Sequence, residues 1–133
     1  MLFRSLQPYV SALPASTPLN VNTASAMVLA TLADTLSPQL AEPLLQARGA
    51  QGYRTVAAFL AQPVLAGLGV QDSGLSVGSS YFMARSEVQL GERRRVLVSV
   101  LQRTPDGRMR VLQRDLGQPA KMPLAVARSE EQP

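Results

Sequence analysis

The spacing of hydrophobic residues predicts helices in the first half of the chain. Residues 2–13 carry apolar side chains near one face of a helix, with Pro8 as a kink or a late start. Over residues 24–36, valine and leucine recur every three or four positions, and Asn22 or Thr23 is a suitable cap for this second helix. A proline-containing connector separates the two helices.

Shorter helices follow. Ser37-Pro38 combines a capping serine with a proline at the first helical position, and the helix that starts there can end at Gly49. Thr55 can cap another short helix, and Pro63 can begin a further turn. Helices this short are stabilised by packing rather than by intrinsic propensity, so we expect them to share a core. The expected core residues are Leu29, Leu32, Leu44, Phe59 and Leu65.

After a turn at residues 71–74, the hydrophobic period changes from helical to alternating, which indicates strands. In the first strand, the even-numbered residues from Phe82 to Leu90 form an apolar face and the odd-numbered residues form a wet face. Gly91-Glu92 turns the chain into a second strand. The sequence Thr104-Pro105-Asp106-Gly107 is typical of a type I turn closed by a bulge, and it leads into a third strand.

These patterns predict an α+β fold made of successive parts along the chain. We expect a lead-in helix at residues 1–12 and a small all-helical lobe at residues 13–74, called the helical lobe below. An antiparallel three-strand meander should follow at residues 75–116, with a flexible tail at residues 117–133.

The composition removes most catalytic chemistry. The 133 residues include no cysteine and no histidine, so neither a thiolate metal site nor the usual general base near neutral pH is available. The acidic residues show no clustered loop spacing that would supply the several oxygen ligands calcium requires. We therefore predict no catalytic residue, no metal and no cofactor, and a protein that is not an enzyme.

The positive charge lies in the second half of the chain. The formal net charge is +4, and residues 1–75 contribute none of it because three arginines balance three acidic residues there. Such asymmetry can mark a surface for nucleic acid or membrane, while solvated outer faces of a sheet are the simpler interpretation. The run Arg93-Arg94-Arg95 accordingly predicts a solvated turn, with binding of phosphate or of a partner's acidic groups as the alternative.

One motif resembles two known families. The entry Asn20-Val21-Asn22-Thr23-Ala24 is followed by Arg48, Gly52-Tyr53 and Phe59-Leu60. This order is similar to the helix-hairpin-helix group of DNA-binding modules and to the helical insertion of protein K, the tip pseudopilin of type II secretion systems. The entry motif alone does not separate the two families.

The hairpin between the second and third helices argues against DNA. A helix-hairpin-helix binds phosphate through backbone N–H groups of a Gly-x-Gly hairpin, where glycine permits close approach. The corresponding residues 32–37 contain no glycine and carry Asp34, which would repel a phosphate. The helical lobe is also electrically neutral and lacks the cations that supply nonspecific DNA affinity. A helix-hairpin-helix DNA-binding protein of the competence type is kept as the alternative.

The part after the helices resembles protein K as well. It consists of Leu75-Ser76-Val77-Gly78-Ser79-Ser80-Tyr81-Phe82, a strand, a basic turn and a strand that ends in arginine before a Pro-Asp-Gly turn. The whole resemblance runs over about residues 13–117. In that family the chain returns from the helical insertion into a pilin-like sheet. The resemblance implies a minor pseudopilin that caps the pseudopilus tip with the I-like and J-like subunits, at the periplasmic face of the bacterial inner membrane. The family's hydrophobic N-terminal helix, cleavage site and first strands have no counterpart in the sequence, so we expect a fragment or a truncated gene product. It would meet the membrane only through that missing helix.

Two sets of residues are candidates for a role. We expect Asn20 and Asn22 to cap backbone N–H groups at a helix start and Arg48 to contact carbonyls at a helix end. Tyr81 and Phe82 should point to opposite faces of a strand, one into the core and one towards an interface. The predicted structural residues are Asn20, Asn22, Thr23, Arg48, Gly52, Phe59 and Phe82. The candidate interface residues are Tyr81, Arg93, Arg94 and Arg95.

Overall fold

The computed structural model describes residues 2–116, and the predicted flexible tail at residues 117–133 lies outside them. The first helix, α1, spans Leu2–Leu6, so it is much shorter than the expected helix over residues 2–13. Proline disfavours the helical conformation in the residue before it, and Pro8 accounts for the early end. A turn closed by the Tyr9 N–H donating to the Leu6 carbonyl follows directly.

Four further helical segments form the helical lobe. They are α2 (Ala26–Leu29), which continues into a 3₁₀ turn (Ala30–Leu32), α3 (Pro38–Arg48), α4 (Val56–Leu60) and a second 3₁₀ turn (Pro63–Leu65). The caps predicted at Ser37 and Thr55 are confirmed. Each hydroxyl accepts a hydrogen bond from the backbone N–H of the residue three positions later in the chain. The predicted cap at Asn22 or Thr23 is wrong, because Ser25 caps α2.

A single hydrophobic core fills the helical lobe. Leu29, Leu44 and Phe59 are almost completely buried, and Leu65 is buried beside them, as the helical spacing predicts. Leu32 is only partly buried, because the chain turns to an extended conformation at Ala33 directly after it. The ten buried hydrophobic residues of residues 4–116 all lie from position 21 to position 65. The core therefore lies within the helical lobe.

A two-stranded parallel pair closes the helical lobe and was not predicted. β1 (Leu19–Asn20) pairs with β2 (Leu75–Ser76), with Leu19 opposite Leu75. Each strand has only two residues, too few for an alternating pattern to be recognised in the sequence. The pairing brings the beginning and the end of the helical segment together. β2 therefore falls within the segment expected to belong to the meander, yet it pairs with the helical lobe.

The predicted three-strand antiparallel meander is confirmed, and with it the α+β fold. Its strands are β3 (Tyr81–Leu90), β4 (Arg93–Arg103) and β5 (Met109–Asp115), in that order. The turn at residues 104–107 closes through the Gly107 N–H donating to the Thr104 carbonyl, with Gly107 at a φ of 82°. The register between β4 and β5 shifts between Val100 and Leu101, so Leu112 is an extra residue in β5.

The meander has no buried core of its own. None of residues 81–116 is buried, and on the predicted apolar face of β3, Val88 and Leu90 are 65% and 81% exposed. We expected only one face of β3 to be exposed to solvent. This prediction is wrong, because solvent reaches both faces. Among residues 2–116, no helix has the length and hydrophobicity that a membrane crossing requires.

The core assignment predicts different outcomes for two leucines of α3. Leu44→Ala should lower the free energy of unfolding by about 2–5 kcal/mol, because a buried side chain is lost and a cavity remains. Leu40→Ala is the matched control, since Leu44 is 1% exposed and Leu40 is 53% exposed. Its cost should stay below about 0.5 kcal/mol. Urea unfolding followed by far-ultraviolet circular dichroism measures both, and equal losses would contradict the assignment.

Candidate interaction site

The entry motif forms a tight turn at the start of the helical lobe. The Oδ1 atom of Asn20 accepts from the Asn22 N–H at 2.9 Å, which is the arrangement of an Asx turn. The Nδ2 atom of Asn20 donates to the Ser79 hydroxyl at 2.8 Å, across 59 positions of sequence. Thr23 is exposed and its hydroxyl donates only to the nearby Asn20 carbonyl. Asn20 thus joins the entry turn to the segment that precedes β3.

The side-chain amide of Asn22 bridges three backbone groups. Its Oδ1 accepts from the Tyr53 N–H at 2.7 Å, and its Nδ2 donates to the Tyr53 carbonyl at 2.9 Å and to the Val77 carbonyl at 3.0 Å. A carboxylate could not supply the two donors, and a hydroxyl could not span the three groups. Asn22 therefore holds the entry turn, the end of the α3–α4 connection and the exit towards β3 together, which replaces the expected role as a helix cap.

Gly52 lies against the Asn22 amide. Its φ is 72°, in the left-handed region that favours glycine, and a Cβ atom there would lie 2.9 Å from both Cγ and Oδ1 of Asn22. Two independent reasons therefore require glycine at this position. The Asn22 side-chain amide bonds to the backbone of the Gly52-Tyr53 pair of the sequence motif, at Tyr53.

Arg48 also acts on the entry turn. Its Nη1 donates to the Ala24 carbonyl at 2.9 Å and to the Val21 carbonyl at 3.2 Å. We expected carbonyls at a helix end, whereas both carbonyls precede the start of α2. The guanidinium thus pairs two backbone acceptors that lie outside the helix.

Tyr53 connects this cluster to the core. Its ring meets the fully buried Phe59 edge to face, with centroids 5.3 Å apart and planes at 78°, and its hydroxyl donates to the Leu44 carbonyl at 2.7 Å. Burial raises the pKa of Tyr53 above 10.0, and the nearby charge of Arg48 lowers it in part. Phe59 is thus a core residue. The residues Asn22, Arg48, Gly52, Tyr53 and Phe59 are called the Asn22 cluster below.

Tyr81 and Phe82 begin β3 and point to opposite faces of the meander, as expected. Neither is a core residue, which corrects the expectation that one would be. Tyr81 is half-buried and its hydroxyl accepts from the Gln102 side-chain amide at 3.1 Å. The ring of Phe82 is 38% exposed and lies 5.6 Å from the guanidinium carbon of Arg103. Nothing in the sequence pattern identified Arg103 in advance.

The three consecutive arginines lie in β4 and not in a turn, which corrects the sequence prediction. They pair with β3, with Arg94 opposite Gln89. Because side chains alternate along a strand, Arg94 shares a face with Glu87, whereas Arg93 and Arg95 point to the other face. The run is therefore divided between two surfaces.

On the face that carries Arg94, one carboxylate offsets part of the positive charge of two arginines. Glu87 accepts from the Arg94 Nη2 at 2.7 Å and forms an ion pair with the Arg85 Nη1 at 2.8 Å. The hydrogen bond from Arg94, and then that from Arg85, hold the pKa of the Glu87 carboxyl below its usual value despite some desolvation. The side chains are exposed, so this arrangement sets local charge more than stability.

The opposite face is both apolar and positively charged. None of its arginines, Arg93, Arg95, Arg103 and Arg114, forms an ion pair with a carboxylate of residues 2–116. No Asp or Glu of the three described strands lies on this face. We call it the arginine face and define it by Phe82, Val88, Leu90, Arg93, Arg95, Arg103 and Arg114.

Known proteins resemble the chain over most of its length. A family model described as type II secretion system (T2SS), protein K matches residues 19–78. A type II secretion system protein K from Pseudomonas aeruginosa is 47% identical over 116 residues, which cover 87% of the chain and 34% of that protein. The chain belongs to the type II secretion protein K family. A protein K from Klebsiella pneumoniae is 40% identical over 109 residues, which cover 77% of the chain and 33% of that protein.

A solved structure has the same fold. It is the crystal structure of the GspK-GspI-GspJ complex from the type 2 secretion system of enterotoxigenic Escherichia coli, with a TM-score of 0.68 and 33% identity. The match covers 88% of the chain and 43% of that protein. The chain spans about a third of the length of the curated protein K relatives it matches. The family match at residues 19–78 begins at β1 and contains the whole Asn22 cluster.

Among residues 2–116, no group of three or more histidine, cysteine, aspartate or glutamate residues is placed to hold a metal ion. The described residues present the hydrogen-bonded Asn22 cluster, a face on which Glu87 pairs with two arginines, and the arginine face.

Two glycines with the same backbone conformation test the Asn22 cluster. Gly67 has a φ of 76°, and a Cβ atom added there would meet nothing within 4 Å, whereas Gly52 has both the positive φ and the contact with Asn22. Gly67→Ala should cost about 1–2 kcal/mol from backbone strain. Gly52→Ala should cost more, because Asn22 must also move and lose hydrogen bonds worth about 0.5–1.5 kcal/mol each. The denaturant midpoints of the two variants measure the difference. Equal losses of stability in Gly52→Ala and Gly67→Ala would contradict the role of the close contact between Gly52 and Asn22.

The raised pKa of Tyr53 predicts a pH dependence. A tyrosine whose folded pKa lies above the unfolded value contributes stability below that unfolded value, 10.0, which is lost as pH rises through the folded pKa. Tyr53→Phe should lower the free energy of unfolding by about 0.5–1.5 kcal/mol at neutral pH, because it removes the hydrogen bond to the Leu44 carbonyl. The difference in this free energy between the variant and the unchanged protein should become smaller in alkaline solution. Unfolding measured below and above pH 10.0 tests this. A gap that does not vary with pH would contradict it.

Proposed function

We propose that this chain is part of a minor pseudopilin that caps the pseudopilus tip of a type II secretion system. The observation that carries the proposal is the shared fold with GspK, at 33% identity over 88% of the chain, in a solved complex with GspI and GspJ. The proposed partners are therefore the I-like and J-like minor pseudopilins. The proposed location is the periplasmic face of the bacterial inner membrane, and the proposed role is non-enzymatic assembly.

The meander supports this role through its lack of a buried interior. Three strands with both faces reached by solvent are close to the lower limit of what is stable without further packing. Exposed apolar groups such as Val88 and Leu90 gain stability when another protein surface covers them. In the proposed assembly, the meander lies nearer the partner subunits and the helical lobe projects outward.

The arginine face suggests how partners are selected. Its arginines, which form no ion pair with a carboxylate of residues 2–116, attract a surface with exposed carboxylates, while Val88 and Leu90 supply apolar contact area. Charge complementarity of this kind accelerates encounter and excludes wrong partners more than it adds affinity. We propose that a partner pseudopilin presents an acidic, partly apolar surface to this face.

No observation favours the DNA-binding alternative. The hairpin between the 3₁₀ turn and α3 contains no glycine, and Asp34 is exposed in it. The exposed carboxylate repels phosphate at the position where a helix-hairpin-helix would bind it. The cations of the chain lie mainly on the strands instead.

Charge reversal on the two faces tests the proposal in the full-length protein. Arg93→Glu with Arg95→Glu should slow association with the I-like and J-like subunits roughly tenfold or more at low salt, and less at high salt. Arg108→Glu with Arg110→Glu is the matched control, because it changes the net charge equally outside the arginine face. Association rates at several salt concentrations, with the three subunits co-purified, provide the measurement.

Two outcomes would overturn different parts of the proposal. Absence of any complex at low salt, with all three subunits folded, would refute the role as a tip subunit. Equal effects of the two double substitutions, with the complex otherwise intact, would refute the arginine face as the contact and leave the assembly role standing.

A further inference from the structure

Residues 76–80 connect the helical lobe to the meander and are called the joint below. The joint runs from the last residue of β2 to the residue before β3, has no helical residue and contains Gly78. A short glycine-containing connection of this kind is the usual place for one part of a protein to swing relative to another. The contacts of the joint oppose such motion.

Every carbonyl of the joint accepts a hydrogen bond. The helical lobe supplies two donors, since the Val21 N–H bonds the Ser76 carbonyl at 2.9 Å and the Asn22 Nδ2 bonds the Val77 carbonyl at 3.0 Å. The Ser76 hydroxyl bonds the Gly78 carbonyl at 3.0 Å from within the joint. These contacts fix the half of the joint that is nearer the helices.

Arg103 at the end of β4 supplies the other two donors. Its backbone N–H bonds the Ser80 carbonyl at 2.7 Å, and its Nη2 bonds the Ser79 carbonyl at 2.7 Å. The guanidinium is held over the Phe82 ring as well, which restricts its rotamers. A charged donor to a carbonyl forms one of the stronger hydrogen bonds available to an exposed side chain.

Ser79 is the residue at which the two sides meet. Its hydroxyl accepts from Asn20 in the helical lobe, while its carbonyl accepts from Arg103 in the meander. The two lobes therefore contact the same residue through different atoms. We infer that Arg103 and Asn20 are positioning residues, which lock the joint through Ser79 and fix the angle between the helical lobe and the meander before any partner binds.

A distance measurement between the lobes tests this inference. The chain contains no cysteine, so Gln46→Cys in α3 and Gln113→Cys in β5 give two unique, exposed sites for spin labels. The whole chain should show a narrow distance distribution by pulsed electron paramagnetic resonance. A free linker of five residues has an r.m.s. span of about 12 Å, which sets the upper limit of the broadening. Loosening at Ser79 should widen the distribution by less than that, because the bonds to the Ser76, Val77 and Ser80 carbonyls remain.

Arg103→Met keeps the aliphatic stem and removes the guanidinium, and Ser79→Ala removes the acceptor of Asn20. Each should broaden the distribution, and the two together should broaden it most, while the unfolding of the helical core stays unchanged. Arg103→Lys, which keeps a charged donor, should broaden it less than Arg103→Met. Arg114→Met is the matched control, because it removes an arginine of the same face that has no bond to the joint.

An unchanged width in the Ser79→Ala, Arg103→Met double variant would overturn the inference, and so would equal broadening in Arg114→Met. If Arg103→Met does not fold, Ser79→Ala alone carries the test, because it removes a single hydroxyl outside the core. The experiment uses the chain without partner subunits. Its failure would therefore leave the proposed assembly role untouched, and a failed assembly experiment would leave the locked joint untouched.

Discussion

The structure depends above all on the side-chain amide of Asn22. The helices of this chain are too short to be stable in isolation, so their arrangement must come from tertiary contacts. Packing of Leu44 and Phe59 supplies the burial, but apolar contact alone tolerates many arrangements. An amide that must satisfy one N–H and two carbonyls at once accepts only one arrangement, because any other would leave a polar group unpaired at a free-energy cost. This arrangement requires glycine at Gly52, because a Cβ atom there would lie too close to the Asn22 side chain.

In the meander, side chains alternate between the two faces of β4, and the two surfaces therefore differ in charge. Arg94 and its neighbours Arg93 and Arg95 have the same chemistry and adjacent positions, yet one is paired with Glu87 and the others have no carboxylate partner within residues 2–116. The difference arises only from the register of β4 against β3. A shift of β4 by one residue would place Arg93 and Arg95 on the face of Glu87 and Arg94 on the opposite face. Selectivity at this surface is therefore set by backbone pairing as much as by composition.

The sequence predicted what local chemistry determines. Ser37 and Thr55 cap helices because their hydroxyls act within one turn, and the turn closed at Gly107 needs only its own four residues. The role of Asn22 was not predictable in the same way, because a cap and a bridge look alike in sequence and its partner Val77 lies 55 positions away. The β1–β2 pair is too short to show a pattern. Alternation in β3 indicated two faces correctly, but periodicity does not reveal whether anything covers either of them.

Burial and polar contacts thus have separate roles within the chain. All ten buried hydrophobic residues of residues 4–116 lie in the helical lobe, so the apolar burial is concentrated there. The meander gains its order from backbone pairing and from the joint, where Asn20 and Arg103 meet at Ser79. A surface that is ordered but incompletely packed suits assembly, because binding then buries apolar area without first having to order a loose segment. The hydrogen bonds of the joint order the meander without a partner. Its exposed apolar side chains gain further stabilisation when a partner buries them in the complex.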